Sequence, residues 1–175
     1  VVHPRTPSTG SVTVPLYTFT AVAGGTITAN GATKSLTITT PGQNGVFTFA
    51  GTAGQKISYL VNASTISGYV ELYKPDGTAA ASYVSAATNQ FADSFTLATT
   101  GTWSLVVDPS TTSTGSVTVQ LYTFTDVSRG TSTANAATQH LTSTTPGQQG
   151  GVSSPGTARP NTTHQGQARP RRAHG

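Results

Sequence analysis

Chemistry in this chain would have to run on a short supply of side chains. Between residues 25 and 125 the carboxylates are Glu71, Asp76, Asp93 and Asp108, and the four histidines, His3, His140, His164 and His174, all lie outside that span. Two carboxylates facing one another would be the equipment of a glycoside hydrolase. Local structure accounts for each of them more simply. Asp76 stands in "KPDGT", where an Asp before Gly bonds its own backbone in a tight turn. Asp108 opens "DPSTTSTG", read as a second turn, and Glu71 alternates with Val70 and Leu72 and so points to solvent. The chain has no Cys, so a histidine-based metal or nucleophile site would need partners this segment does not offer. The expectation is a protein without catalytic residues, metal or cofactor.

Aromatic side chains are the other candidates, because flat rings stack on sugar faces and bury a large area. Trp103 shares a face with Leu105 and Val107 and reads as core. Tyr69 and Tyr73 share the opposite face from Val70 and Leu72, and with Tyr83 they form the candidate ligand-binding patch. "NAS" at Asn62 and "NTT" at Asn161 match a glycosylation acceptor, a weak pattern that carries no weight if the source is bacterial.

The elements that must position these residues are strands. Charged residues make up 8% of the 175, against roughly a quarter in ordinary soluble proteins. Thr, Ser, Ala and Gly fill the gap, so composition leans to strand and turn. Without Cys there are no disulfide staples, and stability must come from a packed core. No apolar run approaches the ~18 residues of a membrane-spanning helix. The formal charge of +4 is concentrated in Arg159, Arg169, Arg171 and Arg172, so the rest of the chain is close to neutral and gives no footprint for nucleic acid.

The chain also repeats itself. "TGSVTVPLYTFT" from Thr9 returns as "TGSVTVQLYTFT" from Thr114, and residues 1–45 match residues 106–150 at 32 of 45 positions. A period of 105 residues exceeds the roughly 20–50 of solenoid units and has the size of a domain. Strict alternation marks the strands. It runs through Val12, Val14 and Leu16, then Leu36 and Ile38, Phe47 and Phe49, and Ile57, Tyr59 and Val61. It continues through Val70 and Leu72, Phe95 and Leu97, Trp103, Leu105 and Val107, and finally Val117, Val119 and Leu121. Turn signals such as "TPGQNG" and "GTAGQ" separate them. About eight short strands without helical periodicity predict an all-β antiparallel sandwich of jelly-roll type.

Residues 1–24 then read as the final strand of a preceding repeat, residues 25–125 as one complete sandwich, and residues 126–150 as the incomplete start of a following repeat. The second copy has lost core positions, with Ile27 replaced by Ser132, Ile38 by Ser143 and Phe49 by Ser154. Each exchange removes roughly 1.5–3 kcal/mol of side-chain burial. Alternation stops after Gly150, so residues 151–175 read as a disordered basic tail, of the kind a shift of reading frame would produce, and residues 131–145 as the most that could order beyond the sandwich.

"GVFTFAGTAGQKISYLV", "YVELYKPDGTAAAS", "TLATTGTWSLVVDPS" and the closing "SVTVQLYTF" resemble bacterial pre-peptidase C-terminal domains, in order over residues 45–125. The resemblance implies a jelly-roll-like sandwich, export from the cell and a non-catalytic accessory role. Some members of that family bind collagen or polysaccharide, and some use calcium. The acidic residues of the calcium pattern are absent before the first strand here. The expected function is a secreted or cell-surface spacer or accessory domain with neighbouring repeats as its partners. The alternative is a module that binds polysaccharide or extracellular matrix.

Overall fold

The computed structural model describes residues 20–133 and 140–154, together with residues 11, 13, 16, 18 and 138. Nine strands build the sandwich: β1 (Val22–Thr26), β2 (Lys34–Ile38), β3 (Gly45–Gly51), β4 (Lys56–Ser64), β5 (Gly68–Tyr73), β6 (Ala79–Ser85), β7 (Gln90–Thr96), β8 (Gly101–Pro109) and β9 (Gly115–Phe124). They form a five-stranded sheet in the order β1-β3-β8-β5-β6 and a four-stranded sheet in the order β2-β9-β4-β7. Apart from the parallel pair β1/β3, the ladders of both sheets are antiparallel. The all-β sandwich expected from the strand pattern is the fold.

Alternating residues of each strand fill the space between the sheets. Phe47, Phe49, Val70, Leu72, Trp103, Leu105 and Val107 come from the five-stranded sheet, and Leu36, Ile38, Ile57, Tyr59, Val61, Val117, Val119 and Leu121 from the other. Trp103 is fully buried, as its place in the alternation predicts, and its indole N–H donates to the Thr99 carbonyl at 3.1 Å. Ile27, Ile38 and Phe49, the positions that become serine in the second copy, are all core residues.

The last two strands of the sandwich occupy interior places. β8 lies between β3 and β5, and β9 lies between β2 and β4. The repeated stretch is therefore the strand that completes the four-stranded sheet, and a copy without it cannot close a second layer. Leu16, which the alternation expects to face inward like its counterpart Leu121, is 92% exposed while Leu121 is buried. Val12 and Val14 lie outside the described residues.

Two boundaries differ from expectation. β1 spans the position placed between repeats, and Val22 and Ala23 pair with Gly45 and Val46 of β3, inside the complete sandwich. Gly24 permits this approach, because a Cβ there would sit 2.3 Å from the Phe47 ring. At the other end, residues 151–153, expected as tail, belong to a strand: β10 (Val127–Thr131) and β11 (Gly150–Ser153) form a parallel pair. Backbone bonds hold it, from Val127 N to Gln149 O at 2.8 Å and from Ser132 N to Ser153 O at 2.7 Å, so lost apolar side chains did not prevent it. The basic stretch from Pro155 onward lies outside the described residues. Among the described residues no helix is long and apolar enough to cross a membrane.

Candidate functional site

β5 lies between β8 and the edge strand β6 on the five-stranded sheet. Its inward residues Val70 and Leu72 are fully buried, so Tyr69, Glu71 and Tyr73 face outward together. Across β6, Tyr83 stands opposite Glu71 and Ser85 opposite Tyr69; across β8, Asp108 stands opposite Tyr69 and Ser104 opposite Tyr73. The structure thus brings all three candidate tyrosines onto one face.

Their roles within it differ. Tyr69 and Tyr83 are 46% and 64% exposed, and their rings meet edge to face with centroids 5.9 Å apart. Such a pair holds two rings in fixed orientation at little entropic cost on binding. Tyr73 is half-buried, and its hydroxyl donates to Glu71 Oε2 at 3.2 Å. The Glu71 charge, with partial burial behind it, holds the Tyr73 phenol above its ordinary range.

A second feature adjoins this face. β6 and β7 are the edge strands of their respective sheets on the same side of the sandwich, and a cleft of ≈ 330 Å³ between them is lined by Tyr83, Phe91, Asp93 and Phe95 among others. β7 carries a bulge beside it. Ile57 pairs with Phe95 and Tyr59 with Ala92, so Ala92 and Phe95 both turn inward while Phe91 is left exposed. Sequence reasoning missed Phe91, because the bulge breaks the alternation that would have placed it. On the facing strand Ala81 adopts φ 56°, a left-handed conformation that costs a non-glycine residue roughly 1–2 kcal/mol.

Glu71 and Asp108 lie on the tyrosine face on neighbouring strands, and the other two carboxylates are held by local bonds. Asp76 Oδ1 accepts from the backbone N–H and the hydroxyl of Thr78 at 2.9 and 2.7 Å, the turn its sequence predicts, and these bonds hold its carboxyl below the ordinary value. Asp93 accepts from Ser94 N at 2.9 Å within the bulge. Asp108 is not a turn opener. β8 continues to Pro109, so Asp108 is a strand residue on the tyrosine face, and the turn begins at Ser110, whose carbonyl accepts from Ser113 N at 3.1 Å. His140 is exposed, and His3, His164 and His174 lie outside the described residues, as does Asn161. Among the described residues no group of three His, Asp or Glu side chains could hold a metal ion.

No family model matches the chain, and no curated protein matches it. Among solved structures it is similar to the pre-peptidase C-terminal domain of a collagenase from Bacillus anthracis, at 18% identity and a TM-score of 0.44, covering 58% of this chain and 95% of that one. It is also similar to PliG of Aeromonas hydrophila, a periplasmic inhibitor of g-type lysozyme, at 14% identity and a TM-score of 0.42, covering 59% of this chain and 99% of that one. The kind of domain that the strand and turn sequences resemble is thus among the structures to which the chain is similar.

Proposed function

We propose that this sandwich is a non-catalytic link in a tandem row of like domains, part of a secreted or cell-surface protein, where it holds other parts of that protein at a distance. One observation carries the reading. Part of the start of the first copy recurs in the second: Val22 pairs with Gly45 and Val127 with Gly150, and Gln43 and Gln148 donate through their side chains to Thr20 and Thr125 at 2.7 Å. These recurrences, 105 residues apart like the repeat in the sequence, support the reading.

A second reading, binding of polysaccharide or matrix protein, is favoured by the paired rings of Tyr69 and Tyr83, with Tyr73 beside them. Incubating the full chain on an array of glycans and matrix proteins tests the two against each other. The spacer reading expects no retained ligand. Retention that Tyr83→Ala and Tyr69→Ala abolish while the fold persists would replace it with the second.

A further inference from the structure

We propose that successive sandwiches are coupled by a built joint: the Thr-Thr-Pro-Gly-Gln loop of one repeat seats on β4 and the end of β9 of the repeat before it. By the same register, the surface around Thr40 and Gln43 is the docking site for a preceding repeat. This rests on the reading of the chain as one link of a row, and it adds the surface and the partner.

Ser58 is the starting point. It lies between Ile57 and Tyr59, so alternation turns it away from the core, yet it is 1% exposed. What covers it is the following copy: its hydroxyl donates to the Pro146 carbonyl at 2.7 Å. A Cβ on Gly147 would lie 2.8 Å from Ser58 Cβ and 3.2 Å from the Phe124 ring, so the loop approaches as closely as glycine allows. An ion pair between Lys56 and Asp126 closes the rim, and Lys56 holds the Asp126 carboxyl below its usual value. Gln148 ties the loop to the end of β9 through Thr125, and its Oε1 accepts from Thr144 N at 2.9 Å.

The loop and its tether recur 105 residues earlier, around Thr40 and Gln43. Gln43 N donates to Thr40 O at 3.1 Å, as Gln148 N does to Thr145 O, and Gln43 ties back to Thr20. Thr18, Thr20, Thr40 and Gln43, the equivalents of Thr123, Thr125, Thr145 and Gln148 in the downstream joint, line a cleft of ≈ 470 Å³. Gln43 Oε1 is buried there without a hydrogen-bond partner among the described residues. The occupant that fits is the β4 strand of a preceding repeat. Ala21 stands at the position of Asp126, so that joint would form without the ion pair.

Amide exchange on the full chain tests the downstream joint, read at Val127 and Ser132, whose N–H groups close the β10/β11 pair. Gly147 and Gly130 both hold left-handed φ, 85° and 73°, but only Gly147 abuts Ser58. Gly147→Ala should therefore lose at least about 10-fold more protection at those amides than Gly130→Ala, while β8 amides stay unchanged. Lys56→Glu should lower protection, and adding Asp126→Lys should restore it. Equal losses in the two glycine variants, or unprotected amides in the native chain, would overturn the seating. For the upstream site, a chain reading 1–125 followed by 21–175 should show its two sandwiches tumbling as one body in nitrogen-15 relaxation. Independent tumbling would overturn the joint and leave the spacer reading standing; a ligand on the array would do the reverse.

Discussion

The Gln148 side chain donates to the Thr125 carbonyl at 2.7 Å, and 105 residues earlier Gln43 makes the same bond to Thr20. Backbone pairing, turn and tether all recur around it, although 13 of the 45 aligned residues differ. What the second copy retains is set by main-chain bonding and one glutamine; what it loses is the apolar filling of a second layer. The described part of the second copy therefore holds as a parallel strand pair, β10 with β11, tethered to Thr125 beside the end of β9.

Trp103→Ala should cost about 3–5 kcal/mol, the usual penalty for deleting a large aromatic side chain from a core. Trp103 is fully buried, meets Phe95 edge to face at 6.2 Å and leaves no space under Gly51, where a Cβ would lie 2.8 Å from the indole. Urea unfolding measures the loss. A value below about 1 kcal/mol would mean a surface indole, outside the range of core deletions.

Asn30 fixes the entry to β2. It holds φ 58°, and its side chain both donates to Thr123 O at 2.8 Å and accepts from Thr123 N at 3.1 Å, extending the ladder of β9. Asn30→Gly should cost about 2 kcal/mol, for two hydrogen bonds at roughly 1 kcal/mol each. Asn30→Ala should cost about 1 kcal/mol more, because alanine also resists the left-handed conformation. The order Ala worse than Gly in a denaturant titration is the discriminating result; the reverse order would remove the conformational part of the account.

Most of the fold could be read from alternation, and the places where reading failed have physical causes. β1 carries "VAGGT", where Gly24 passes over Phe47 and Gly25 holds φ 80°, so no apolar rhythm is left. β6 reads "AAASYVS", where small alanines pack at an edge without the bulk that marks a strand. The bulge in β7 shifts Phe95 and exposes Phe91. The tyrosine face was legible because Tyr69, Glu71 and Tyr73 sit on a regular strand. The joint was not, because Ser58 is a polar residue at an outward position, which sequence assigns to solvent, and its cover comes from residues 88 positions away.

Tyr59 makes stability fall at alkaline pH. Burial, reinforced by the Glu71 charge, pushes its phenol from 10.0 up to about 12, against the opposing effect of its bond to Ser82. A raised folded-state value means the native protein keeps a proton that the unfolded chain releases. The stability tied to that proton is intact below pH 10.0 and is lost as pH rises toward about 12. Relative to Tyr59→Phe, the native chain should lose about 1 kcal/mol per pH unit across that window. Parallel curves for the two proteins would show that the Tyr59 hydroxyl ionises freely.

Small-angle scattering on chains carrying no, one and two further copies of residues 21–125 tests most directly whether this sandwich is a link in an extended row. The account predicts that the maximum dimension grows by an equal step with each added copy, as it must if every repeat seats on the closing end of the last. A dimension that levels off, with the added copies folding back into a compact cluster, would contradict it.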